Sequence, residues 1–191
     1  MIYIVRHGQD LDNAMGILNG RRNMPLTELG RKQAEEVAKK FVDKDISYIY
    51  STPLKRGVQT AEIICQKIGL SVARLRIHIK LIERDFGVLT GMPYSAIPKL
   101  GRNFLYTDHT NYFLEADKAE TFPMVLARAK DVLNEAVARH KDENGIFVCH
   151  GDIGNMIKAA YYGWEFQKAL LHGKMDNCEI HALPDPDMVL I

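Results

Sequence analysis

The chain has 191 residues, a formal net charge of +1, 47% apolar residues and 26% charged residues. That length holds one domain with a full hydrophobic core and room for an insert, and near-zero net charge excludes a general electrostatic affinity for nucleic acid or a membrane surface. No apolar run approaches the ~20 residues of a membrane span, no secretory leader is evident, and the three cysteines form no CxxC pair, so a reduced, cytoplasmic setting is expected.

In chain order, residues 2–5 (IYIV) form the first short unbroken apolar run, and 46–50 (ISYIY) and 146–149 (IFVC) follow the same pattern. Such runs suit strands buried on both faces, as in a parallel sheet. Helical spacing lies between them. Over 28–42 it places Leu29, Ala34, Val37, Ala38, Phe41 and Val42 on one stripe, with Thr27 as N-cap. Over 53–68 it places Leu54, Val58, Ala61, Ile64, Cys65 and Ile68 together, with Pro53 at the first helical position and Gly69 as the stop. Residues 71–83 read as strand. Residues 87–120 are rich in Gly, Pro, Tyr and Asn, hold no long periodic segment, and read as an irregular insert over one sheet edge. A helix over 122–140 carries Val125, Leu126, Ala129, Val132, Leu133, Ala136 and Val137, and another is expected after Gly151. Residues 178–183 supply a last strand, and the tail from Pro184 reads as an edge strand or a packed segment. Strands alternating with helices predict a three-layer α/β/α sandwich with a mostly parallel central sheet, built as a single domain over 1–191 with a cap insert near 87–120.

Several predicted strands end on chemistry. The first runs into Arg6, His7 and Gly8, the second into the segment from Ser51 to Arg56, and the 146–149 run into His150 and Gly151. Ligands of open α/β sheets gather at the carboxyl edge of the strands. His7, His150, Arg6 and Arg56 are therefore expected on one rim, beside helix N-termini that also favour an anion. Guanidinium forks match a tetrahedral phosphate. Cations brought together without a neighbouring carboxylate imply an anion between them.

These residues carry a resemblance. Arg6-His7-Gly8-Gln9, with Asn13 downstream, resembles the RHG motif of the histidine phosphatase superfamily, the phosphoglycerate mutase-like family. Residues 20–34 (GRRNMPLTELGRKQA) are similar to its Pro-Leu-Thr-x-x-Gly-x-x-Gln-Ala block. Residues 51–62 (STPLKRGVQTAE) resemble its Ser-x-Pro-Leu-x-Arg-x-x-Gln-Thr-Ala block, 81–91 (LIERDFGVLTG) its acid-bearing block, and 147–154 (FVCHGDIG) its second His-Gly. The resemblance implies a metal-independent phosphomonoester hydrolase without cofactor, acting on a small phosphorylated metabolite. His7 would be the nucleophile that becomes phosphohistidine, and Glu83 the acid that protonates the leaving oxygen. Arg6, Arg56, His150 and Asn13 would clamp the phosphoryl oxygens, with Gly151 as a further donor, and Gly20 and Arg21 at the substrate entrance. Asp85 is a rival to Glu83, and the block favours Glu83. Leu26, Thr27 and Gly30 are read as cap and packing, and His78, His109, His140, His172 and His181 as structural or surface residues.

The chain departs from the family at Asp10, where Ser or Thr is usual, and at Asp152, where a small residue is common. A carboxylate facing the pocket would repel phosphate; Asp10 either points away or meets a cationic part of the substrate. These acids leave open a non-catalytic phospholigand-binding domain. A cofactor-dependent mutase-type phosphotransferase is the other alternative. Its basic insert has little counterpart here: Tyr94 stands near the expected lysine, and Lys99, Arg102 and Lys118 are the bases of the insert. Hydrolysis is the expected reaction; substrate and oligomeric state are not readable.

Overall fold

The alternating segments assemble as follows in the computed structural model, which describes residues 1–184. Strand β1 (Ile2–Arg6) is followed by a short helix α1 (Leu11–Ala14), helix α2 (Glu28–Lys39), strand β2 (Ile46–Ser51), helix α3 (Lys55–Ile68) and strand β3 (Leu75–Ile77). Then come a one-turn helix α4 (Ile97–Leu100), strands β4 (Arg102–Tyr106) and β5 (Asn111–Glu115), helix α5 (Phe122–Arg139), strand β6 (Asn144–Cys149), helices α6 (Gly151–Tyr162) and α7 (Phe166–Leu171), and strand β7 (Ile180–Leu183). The central sheet has the order β3-β2-β6-β1-β7. Its first four strands are parallel, and β7 runs antiparallel to β1.

Alternation along β1 sorts the core into two halves. Ile2 and Ile4 pack with Val125, Ala129 and Val132 of α5 and Ile153, Met156 and Ile157 of α6. Tyr3 and Val5 face the other way, onto Val37 and Ala38 of α2 and Ala61 and Ile64 of α3. Strands covered on both faces have no polar side to show, which is why their sequences are unbroken apolar runs. The layers are helices, sheet, helices, as the periodicity predicts.

Local details differ from the sequence reading. Thr27 caps α2 by accepting from the Gly30 N–H at 3.0 Å, but Leu29 in the first turn lies exposed, and the helix ends at Lys39, so that Val42 is exposed beyond it and Phe41 enters the core through the following turn. Val137 of α5 is also exposed. Helix α3 starts at Lys55, with Leu54 rather than Pro53 beside its first turn, and stops at Gly69. Only Leu75–Ile77 of the 71–83 segment pairs as strand, flanked by 3-10 turns over Val72–Arg74 and Ile79–Leu81. As an edge strand it has a partner on one side alone, opposite Ile49 to Ser51.

The 87–120 segment is more ordered than its composition suggested. Strands β4 and β5 form an antiparallel hairpin with Phe104 opposite Phe113. Phe113 packs with Phe86, Leu89 and Leu18 in a third apolar cluster separate from the sheet cores. The expectation for the tail after Pro184 lies outside the described residues. Among the described residues, no helix is long and apolar enough to cross a membrane.

Candidate active site

Register places the two histidines. Arg6 of β1 lies opposite Cys149 of β6, so the residues that follow, His7 and His150, leave the sheet side by side. The His7 N–H donates to the Cys149 carbonyl at 3.0 Å, and the ring centroids are 4.9 Å apart. On the far side of β6, Ser51 lies opposite Val148, which brings the loop into α3, and with it Arg56, to the same edge. His7, His150 and Arg56 are almost wholly buried, at 2%, 0% and 0% exposure.

The hydrogen bonds assign the tautomers. His7 Nδ1 lies 2.7 Å from the Gly8 carbonyl, which can only accept. Nδ1 therefore carries the proton, and Nε2 keeps a free lone pair. Arg56 Nε–H donates to that Nε2 at 3.2 Å and to His150 Nδ1 at 3.1 Å. His150 Nε2–H then donates to Thr52 Oγ1 at 2.9 Å. Burial, reinforced by Arg56 and Arg6, holds the His7 pKa well below the ordinary 6.5. Burial first, then Arg56 and His7, does the same for His150. Both rings are neutral near neutral pH.

Arg56 is held from several sides. Nη1 donates to the Arg22 carbonyl at 2.7 Å and Nη2 to the Gly20 carbonyl at 2.8 Å. Asp10, fully buried, lies 3.3 Å from Nε. It also caps α1 through the Asn13 N–H and accepts from Asn19 Nδ2 at 2.6 Å. Asp10 is thus the counter-charge of Arg56, the partner that an isolated reading of the strand ends missed. Its spacing to Asn13, a capping pair, was the available signal. Thr60 adds a brace: it accepts from the Gly8 N–H at 3.1 Å and donates to the Arg56 carbonyl at 2.7 Å.

Glu83 sits at the start of α6, where His150 is the N-cap. Its carboxylate is 6% exposed and accepts from the N–H groups of Arg84, Ile153 and Asp152 at 2.8, 3.3 and 3.4 Å. Those donors favour the charge, but burial and the nearby Asp152 carboxylate outweigh them and raise its pKa above the ordinary 4.5. Asp152 is itself paired with Arg84 at 2.7 Å. Arg84 is 1% exposed and stacks over Phe113 and Phe122 at 4.1 and 4.3 Å. Both acids that departed from the expected pattern therefore face arginines.

Arg6, Asn13, Glu83 and Gly151 line one cavity of about 600 Å³, together with Asp152 and Arg84. Arg6 donates Nη1 to the Met175 carbonyl at 2.6 Å, while its buried Nε has no hydrogen-bond partner among the described residues. Asn13 Oδ1 receives Asn177 Nδ2 at 3.3 Å, and the same amide donates to the His7 carbonyl at 2.9 Å. The buried His7, Arg56 and His150 are not among its lining residues, and neither are Gly20 and Arg21. Gly20, at φ +47°, places its carbonyl on Arg56. Arg21 turns outward: it donates Nε to the Glu83 carbonyl at 3.2 Å and pairs with Glu120 at 3.1 Å and Asp85 at 3.5 Å. The acids along 83–120 attract it, a pairing invisible to a reading that assigned it to the entrance. Asp85, the rival acid, is engaged there and in a turn with the Gly87 N–H.

Comparisons with known proteins follow the same line. A family model described as "Histidine phosphatase superfamily (branch 1)" matches residues 2–184. "Phosphoglycerate mutase-like protein 4" of Arabidopsis thaliana is 32% identical over 157 residues, covering 80% of this chain and 66% of that protein. "Probable phosphoglycerate mutase GpmB" of Yersinia pestis is 38% identical over 96 residues, or 50% of this chain and 43% of that protein. The chain thus spans less than two thirds of the length of these relatives. A solved mycobacterial glucosyl-3-phosphoglycerate phosphatase superposes with a TM-score of 0.77 at 22% identity, covering 94% of this chain and 87% of that one. Bacillus stearothermophilus YhfR gives 0.78 at 22% identity, with 94% and 88% covered.

Proposed function

This chain belongs to the histidine phosphatase superfamily, and from that premise we propose that it hydrolyses phosphomonoesters without a metal, through a phosphohistidine on His7. The observation that carries the reading is the neutral His7 with its Nε2 lone pair directed at Arg56, a few ångströms from His150. When a phosphoryl group enters, Arg56 Nε–H and the unpaired Arg6 Nε–H turn to its non-reacting oxygens, aided by His150, Asn13 and the Gly151 N–H. His7 Nε2 attacks phosphorus and the P–O bond to the alcohol breaks. The leaving alkoxide takes the proton of Glu83, whose raised pKa suits it to hold one. Water then attacks phosphohistidine, Glu83 accepts its proton, and the P–N bond breaks to release inorganic phosphate. Charge is met by the guanidinium groups and donors of the site, so no step calls on a metal.

Hydrolysis is favoured over phosphoryl shuttling by charge. A mutase must hold a second phosphoryl group, yet Lys99, Arg102 and Lys118 do not line the cavity, and Arg102 is paired with Asp117 at 2.7 Å. The names of the two relatives above favour the mutase-type alternative, which isomerisation of 2- or 3-phosphoglycerate faster than phosphate release would establish. Non-catalytic binding loses its main motive once Asp10 and Asp152 are matched to Arg56 and Arg84. The test is release of phosphate from an aryl phosphate in EDTA, with trapping of an acid-labile phosphoenzyme. His7→Ala is expected to lower turnover at least about a thousandfold and to abolish the phosphoenzyme. Undiminished turnover by that variant would falsify the assignment.

A further inference from the structure

The wall of the cavity away from Arg6 and Glu83 is built by the insert, and it is aromatic. Phe104 and Tyr106 come from β4, Tyr112 and Phe113 from β5, with Tyr94 and Ile97 just before them. Tyr106 is 70% exposed and Tyr94 46% exposed. Large rings left in water at the mouth of a cavity are surfaces that a ligand gains by covering.

The charges on the wall are nearly spent. Arg6 serves the phosphoryl group in the reading above. Arg84 is neutralised by Asp152 at 2.7 Å and enclosed by phenylalanine rings. Lys174 is the remaining cation among the described residues that line the cavity. A phosphorylated three-carbon acid would bring a second anionic group and would leave most of the cavity of about 600 Å³ empty; that volume is in the range that encloses a ligand of drug-like size.

Resting on the phosphomonoester reading, we propose that the insert selects substrates whose alcohol carries an uncharged ring. The ring lies against the Tyr106 and Phe104 faces while the phosphoryl group reaches Arg6 and His7. The aromatic wall supplies contact area and stacking, and the scarcity of free cations disfavours acidic leaving groups.

The experiment separates this from the catalytic reading by measuring binding. Calorimetric titration of the His7→Ala protein uses 2-phenylethyl phosphate, glycerol 3-phosphate and 3-phosphoglycerate, none of which has an activated leaving group. The ring-bearing ester is expected to bind about tenfold more tightly than either of the others. Tyr106→Ser, at an exposed position where folding is not at risk, should lower that ratio about fivefold when added to His7→Ala. Equal or tighter binding of 3-phosphoglycerate, or a ratio unmoved by Tyr106→Ser, overturns the proposal. Turnover by the unsubstituted protein is recorded alongside: its absence counts against the phosphatase reading and leaves the binding ratio to decide the ring preference.

Discussion

At the scale of single residues, the site is two groups whose proton affinities have been moved in opposite directions. In the proposed mechanism His7 must be unprotonated to attack, and its pKa lies below the ordinary 6.5 through burial and then Arg56 and Arg6. Glu83, as the proposed acid, must be protonated, and its pKa lies above the ordinary 4.5 through burial and then Asp152. On that mechanism activity rises with pH through the His7 ionisation and falls through that of Glu83, a bell whose two limbs are set by these groups. Asp152→Asn removes a carboxylate that raises the Glu83 pKa, so the alkaline limb of the kcat profile is expected to move to lower pH. Glu83→Gln is expected to lower kcat by about 10²–10⁴-fold and to flatten that limb. A kcat profile for Asp152→Asn that superposes on the parent would show that Asp152 does not tune the acid. That His7, Arg56 and His150 meet at one sheet edge was legible in the sequence, because each lies just after a strand in a recognisable block. The partners of Arg56 and Arg84 were not, because Asp10 and Asp152 looked only like charges in the wrong place. Their meaning depends on what lies opposite them in space.

At the scale of elements, the site depends on two segments approaching more closely than side chains allow. A Cβ on Gly8 would lie 2.3 Å from the Gly30 carbonyl oxygen, and one on Gly30 would lie 2.0 Å from that of Gln9. The loop leaving β1 thus rests directly on the first turn of α2, and Gly8 is the residue whose carbonyl sets the His7 tautomer. Gly30→Ala forces these backbones apart. It is expected to cost about 2 kcal/mol, lowering Tm by roughly 4–8 °C, and to reduce kcat/KM well below the folded temperature range. Thermal melts with kinetics at 25 °C check both; an unchanged Tm would mean the contact is not tight. The stripe over 28–42 located α2, and the N-cap at Thr27 followed from residue chemistry. Gly30 was read as packing, which is correct in kind, but its partner lies in another element. The β4–β5 hairpin escaped a periodicity reading altogether. Its apolar residues are divided: Phe104 and Phe113 join a small separate cluster, while Leu105, Tyr112 and Leu114 pack on the core beneath α5 and α6, so no single stripe shows in the sequence.

For the whole molecule, the buried histidines tie stability to pH. His7 and His150 both have folded pKa values well below 6.5. Their contribution is fully present above the unfolded value and is lost as pH falls from about 6.5 toward the folded values, because the unfolded chain takes up protons first. Each contributes a slope approaching ~1.4 kcal/mol per pH unit below that point. In phosphate-free buffer, Tm is expected to fall steadily from pH 7 to pH 5.5, and His150→Gln should lessen that slope even if it lowers Tm throughout. A Tm independent of pH over this interval would contradict the burial of neutral imidazoles. The sequence by itself determined the alternation of strands and helices, the cations at the strand ends and the family pattern. Hydrophobic periodicity and contiguous motifs are local properties, written within a few turns of chain. The tertiary structure alone decided that Asp10 balances Arg56, that Arg21 turns away from the cavity, and that an aromatic hairpin walls the site. Those are meetings of residues far apart along the chain, fixed by strand register and by which charges burial forces together.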